Sequence, residues 1–174
     1  LKQTCEKIKE EMGSPQILIH NAVKGNFESL LDGKPEWLEK NFRINTTSLI
    51  YLAHAFIPDM IKAKKGVIIV TGNTAAKRGV ANTPYFSPTK AAQRILAQSL
   101  AKDFGPKGIH VAYLIVDASI NTPWTRNRIK KQINQPDIIF TQPADIADEI
   151  FHIAHQKRSA WSFDVEVRPD IETW

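Results

Sequence analysis

The stretch GVIIVTGNTAAKRGVANTPYFSPTKAAQRILAQSLAKDF, Gly66–Phe104, decides the fold. Gly66–Asn73 is a short apolar run of the length of one buried strand. The Thr71–Pro84 segment is rich in small and polar residues and reads as a loop. From Pro84 to Phe104, Ala92, Ile95, Leu96, Ser99, Leu100 and Phe104 recur at helical spacing, and Gly105-Pro106 stops the helix. Strand, loop and helix in this order form one β-loop-α unit of an α/β sheet. Ligands of such sheets lie beyond the carboxyl ends of the strands, so chemistry is expected at Thr71–Pro84.

The same pattern extends in both directions. Leu1–Met12 sets Ile8 and Met12 on one stripe and predicts a surface helix, closed by Gly13 and Pro15. Gln16–Asn21, QILIHN, predicts a strand covered on both faces. Pro35 opens a long, interrupted helical region reaching about Lys62. Asn45 lies inside it, where a buried amide needs a bound water or a backbone partner. His110–Val116 reads as another buried strand, Trp124–Asn134 and Pro143–His155 as helices, and Trp161–Val167 as a final alternating strand. His152 and His155 are three apart, but no Cys or carboxylate pattern joins them, so no metal site is expected.

Composition narrows the function classes. The chain has 174 residues, 43% hydrophobic and 24% charged, which suits one domain, residues 1–174, with its own core. Its net charge of +5 is modest, and the densest cluster (Arg126, Arg128, Lys130, Lys131) reads as a solvated helix face, so no nucleic-acid partner is expected. The longest apolar run, Leu49–Ile57, contains His54 and is too short to span a bilayer, so no membrane role is expected. Cys5 is the only cysteine; it excludes a disulfide framework within the chain and fits a cytoplasmic location. The opening residues read as a helix entered part-way through a longer polypeptide.

Gly66–Phe104 resembles the core of the short-chain dehydrogenase/reductase family, in which a strand ends in a catalytic Ser and the next helix carries Tyr-x-x-x-Lys. The resemblance places the lysine at Lys90 and Phe86 at the tyrosine position. The family's tyrosine supplies a proton to a carbonyl oxygen, and its lysine lowers the pKa of that hydroxyl. Phenylalanine has no hydroxyl to ionise. Tyr85 lies five residues before Lys90; helix geometry turns it roughly 100° from the required direction, and only a local π-bulge would restore it. The serine position falls on Asn73, whose amide can donate a hydrogen bond but not easily pass a proton; Thr74 supplies a hydroxyl if the register slips by one. Both otherwise serve as loop caps.

Further residues extend the likeness. His20-Asn21-Ala22-Val23 stands where the family has Asn-Asn-Ala-Gly, so Asn21 and Ala22 match and are implied cofactor contacts, although Asn21 also fits as a simple strand end. Asn45 maps to the family's helical Asn, which helps hold a water linking the lysine to bulk protons. Asp117-Ala118 replaces the family's Pro-Gly, while Thr122 matches a threonine that meets the cofactor and Ile120 a residue whose backbone addresses its carboxamide. Lys90 also binds the ribose in the family. The segment Trp124–Asn134 corresponds to a mobile substrate lid.

The resemblance therefore implies a partial Rossmann-like, doubly wound parallel sheet and an NAD- or NADP-dependent oxidoreductase. Its substrate would be a small carbonyl or alcohol, and its proton transfer impaired or altered. The alternative is a non-catalytic relative that senses cofactor or binds a protein. A homo-oligomer through the 36–62 and 84–104 helices is implied as well. The Gly-rich first strand-loop-helix of the family is not in this sequence; a complete member carries on the order of 60–80 residues more before Leu1. Without that half, Gln16–Asn21 becomes an open apolar edge.

Overall fold

The computed structural model describes residues 1–130 and 140–171, with the side chain of Lys130 left aside. Lys131 and the end of the expected lid helix at Asn134 lie outside the described residues. The centre is a parallel sheet of four strands, β1 (Ile17–His20), β2 (Gly66–Asn73), β3 (Ile109–Val116) and β6 (Asp164–Val167), in that spatial order. A small parallel pair, β4 (Ser119–Ile120) and β5 (Phe140–Thr141), stands beyond the end of β3.

Helices cover both faces, as the period of the strands requires. On β2, Ile68 and Val70 point to one side and Ile69 to the other. The first face meets α1 (Lys2–Met12), α3 (Ser48–Ala63) and α4 (Ser87–Phe104), burying Cys5, Leu49, Phe56, Met60 and Ala97. The second face meets α6 (Pro143–Ala154) through Ile146 and Ile153. Every residue of β3 is buried, which is why IHVAYLIV runs apolar without alternation. The architecture is the expected doubly wound α/β sheet.

Two local readings change, and one gains detail. β1 is not covered on both faces: it is an edge strand with Ile17 and Ile19 40% and 46% exposed. The long helical region is interrupted, as expected, but by a π turn: α2 (Pro35–Phe42) runs into Arg43–Thr47 before α3 begins. Two carbonyls there are taken by side chains, Ile44 O by Ser48 Oγ at 2.6 Å and Asn45 O by Gln93 Nε2 at 2.6 Å. Lastly, α4 starts at Ser87 rather than Pro84. A turn closed by Phe86 N–H on Thr83 O, with Ser87 Oγ donating to Thr83 Oγ1, holds Pro84–Phe86 outside the helix.

The helix α5 (Pro123–Lys130) carries the basic cluster. Its arginines do not simply face water. Arg126 lies over the ring of Phe140 and bonds Asn121 Oδ1, and Arg128 lies over Phe27 and Trp124. None of the described helices is long and apolar enough to cross a membrane.

Candidate active site

The parallel strands end together, and a cleft of about 570 Å³ opens over the carboxyl ends of β1, β2 and β3. Asn21, Asn73, Lys90, Ile120 and Thr122 all line it. A second hollow of about 390 Å³ adjoins it, sharing Asn73 and adding Thr74, Phe27 and Phe86. Residues up to about 100 positions apart in the chain thus meet at the one sheet edge where ligands of this architecture bind. Ala22 lies beside Asn21 in the chain but does not line the cleft.

Lys90 is the most constrained of these groups. It projects from the first turn of α4 and is 2% exposed. Its ammonium donates to Thr71 O at 3.0 Å and to Gln93 Oε1 at 2.5 Å. Both partners are neutral, so no opposite charge offsets the loss of hydration, and burial pushes the pKa down to about 8. Gln93 is fully buried and donates from Nε2 to Asn45 O and to His20 Nδ1, at 2.6 and 3.1 Å. Tyr113 donates to Gln93 Oε1 at 3.2 Å, and burial raises its own pKa well above the usual value.

His20 completes this cluster. Its Nε2 pairs with Ser48 Oγ at 2.7 Å, and that hydroxyl gives its hydrogen to Ile44 O. The ring therefore carries its proton on Nε2 and accepts at Nδ1. Burial first, and the nearby charge of Lys90 second, lower its pKa to about 4, so it is neutral at physiological pH.

Asn45 finds the backbone partner its burial required. Its amide clamps both polar groups of Lys24, accepting from the N–H at 2.7 Å and donating to the carbonyl at 2.8 Å. It also donates to Thr89 Oγ1 at 2.8 Å. This side chain fixes the loop that runs from β1 past the cleft.

The tyrosine position is wholly apolar. Phe86 is 3% exposed, with its ring 5.1 Å from that of Phe27. Tyr85 offers no substitute: its hydroxyl donates to Leu30 O at 2.7 Å, its ring meets Trp37 edge-on, and Asn41 Nδ2 holds its carbonyl. Among the described residues the π turn lies at Arg43–Thr47, not beside Tyr85.

The remaining residues have local partners. Asn21 accepts from Thr71 Oγ1 at 2.6 Å, tying the ends of β1 and β2 together. Thr122 Oγ1 accepts from Thr125 N–H at 3.1 Å and so caps α5. Asn73 Oδ1 is buried without a partner, at the junction of cleft and hollow. His155 Nδ1 donates to Phe151 O at 2.7 Å.

Sequence reasoning did not single out Gln93 or Tyr113. A signal existed for each: Gln93 stands three residues after Lys90 on the same helix face, and Tyr113 interrupts an aliphatic strand, where it pairs with Val70.

The family model described as short chain dehydrogenase matches residues 1–133. The chain is 30% identical over 135 residues to the 3-oxoacyl-(acyl-carrier-protein) reductase FabG of Buchnera aphidicola subsp. Baizongia pistaciae, covering 78% of this chain and 55% of the reductase. It spans about half the length of the curated relatives it matches. Among solved structures, a metagenomic short-chain oxidoreductase in complex with NADP superimposes with a TM-score of 0.78 at 24% identity, over 98% of this chain and 69% of that one. An NADPH-bound short chain oxidoreductase of Pseudomonas aeruginosa PAO1, described as containing an atypical catalytic center, gives 0.84 at 18% identity, over 98% and 71%. These structures establish the likeness of fold, and the family match over most of the sequence makes this chain a member of the short-chain dehydrogenase family.

Proposed function

We propose that the protein is an NAD(P)-dependent oxidoreductase acting on a carbonyl/alcohol pair, with proton transfer altered by Phe86. The observation that carries the reading is Lys90, a buried ammonium at a cleft on the sheet's carboxyl edge, with no hydroxyl at the tyrosine position. The residues fit the nicotinamide end of such a cofactor. Lys90 has a third N–H beyond its two fixed bonds, suited to a ribose hydroxyl. Thr122 and Ile120 line the same cleft, where the backbone of Ile120 would suit the carboxamide. Val23, 61% exposed where the family has glycine, narrows the approach on the β1 side. When bound, the cofactor would supply or accept the hydride.

The protein's own contribution is to orient the carbonyl and stabilise its oxygen. Asn73, with an unpaired buried amide oxygen, accepts from an alcohol or, with its amide turned, donates to a carbonyl. Phe86 and Phe27 form an apolar patch in the adjoining hollow, whose other walls carry Thr74, Arg78 and Asp117 and so admit water. The proton must then come from solvent or from Lys90, since the Tyr85 hydroxyl is engaged elsewhere.

The test has two arms on the full-length protein from its natural source. Titration with NADH and NADPH, followed by fluorescence, is expected to show binding that Lys90→Met weakens by about tenfold or more. Phe86→Tyr is expected to raise carbonyl reduction by about a hundredfold, the lower end for general acid catalysis. Failure to bind either cofactor rejects the proposal. Binding without turnover in both parent and variant favours the second reading, a cofactor-sensing relative without chemistry, for which the apolar packing of Phe86 speaks.

A further inference from the structure

We infer that Gln93 is the positioning residue for Lys90, its amide standing in the place of a water between the ammonium and the Asn45 carbonyl. Lys90 is thereby held by a closed set of side chains and exchanges its protons only through the cleft. This deepens the reading of Lys90 as the proton- and cofactor-handling group and rests on it, although its geometry is independent of turnover.

The orientation of the Gln93 amide is forced rather than assigned. An ammonium can only donate and a carbonyl can only accept, so Oε1 faces Lys90 and Nε2 faces Asn45 O. Turning the amide over would set N–H against ammonium and oxygen against oxygen. The second Nε2 hydrogen goes to His20 Nδ1. The second acceptor site of Oε1 goes to Tyr113. His20 is in turn closed by Ser48, whose hydroxyl is already committed to Ile44 O. Each polar atom of Gln93 thus has its partners within the protein, and the one open hydrogen-bonding position of Lys90, its third N–H, is left to the cleft.

Burial agrees with this accounting. Gln93 and Tyr113 are fully buried, and His20 and Lys90 are 1% and 2% exposed. The titratable groups facing Lys90 are His20 from β1 and Tyr113 from β3. His20 is neutral above about pH 4, and Tyr113 stays protonated well beyond the usual phenol range. An amide does not relay protons at neutral pH, so the network behind Lys90 is a brace and not a wire. His20 and Gln93 belong to β1 and α4, far apart in sequence, yet each supplies the hydrogen bond that the other requires.

The experiment labels the lysines of the full-length protein with ¹⁵N and follows Nζ–H signals by NMR near pH 6, with Lys90→Arg assigning the peak. Lys90 is expected to give a resolved Nζ signal whose hydrogens exchange at least about tenfold more slowly than those of exposed lysines. Gln93→Ala, which vacates room for water beside Asn45 O, is expected to speed that exchange about tenfold. Exchange in the parent as fast as at surface lysines would overturn the inference, as would exchange unchanged in a folded Gln93→Ala. If that variant does not fold, a crystal structure of the parent decides: a water between Lys90 Nζ and Asn45 O rejects the brace, and direct contact with Gln93 supports it. Slow exchange without cofactor binding would defeat the functional reading and leave the brace standing. Fast exchange with cofactor binding would do the reverse.

Discussion

His20 is a buried base held neutral, and this has a defined effect on stability. Its native pKa is about 4 against 6.5 when free, so the unfolded chain takes up a proton that the native state refuses. The contribution is present in full above about pH 6.5 and is lost as pH falls toward 4, amounting to about 3 kcal/mol. Urea unfolding between pH 7 and 4.5 is expected to show that slope, and His20→Asn to flatten it; equal slopes in both proteins would contradict the assignment. Lys90 acts in the same direction at higher pH, its cost at neutral pH relaxing as pH rises from about 8. Gly72 is constrained differently. A Cβ there would lie 2.2 Å from the Tyr113 ring and 2.3 Å from its hydroxyl, near the carboxyl end of the β2–β3 pairing. Gly72→Ala is expected to cost about 1–3 kcal/mol, read as a melting temperature lower by about 2–10 °C.

At the scale of elements, the π turn joins α2 to α3, and its buried Asn45 links a loop to α4. Asn45 holds Lys24 through both backbone groups, as a neighbouring strand would, and so stiffens the segment between β1 and α2 that borders the cleft. Asn45→Ala removes this clamp together with the bond to Thr89. It is expected to destabilise the protein by about 2–3 kcal/mol and to speed hydrogen exchange at the Lys24 amide. An unchanged Lys24 exchange rate would show that the loop is fixed by other contacts. The start of α4 is set in the same manner, by Thr83 bonding both Val80 and Ser87, which leaves Phe86 one turn before Lys90.

For the molecule as a whole, the uneven feature is the edge of the sheet at β1. In a polypeptide of residues 1–174 by itself, Ile17 and Ile19 are exposed on an outer strand of the sheet, an arrangement that invites edge-to-edge association. Ile17→Lys is expected to lower light scattering at high protein concentration while changing stability by no more than about 0.5 kcal/mol. Scattering unchanged by the substitution would place association elsewhere. Exposed ion pairs such as Lys7–Glu11 and Lys107–Asp103 contribute little to this balance.

What the sequence determined by itself was local and periodic. The apolar runs of β2 and β3, the stripe of α4, its stop at Gly105 and the break within the 35–62 region all follow from patterns a few residues long. The shared sheet edge followed too, since parallel strands joined by helices must present their carboxyl ends together. The family motif located Lys90, Phe86, Asn73 and Thr122, and they line the cleft or the hollow beside it. Only the tertiary structure decided how Lys90 is held. His20 and Gln93 are 73 residues apart, and they meet because β1 pairs with β2 in a register setting His20 beside Val70, while α4 crosses that sheet face. No period along the chain encodes such a meeting. It depends on which strand lies next to which, and on a hydrogen-bonding count that balances only once those atoms share one buried space.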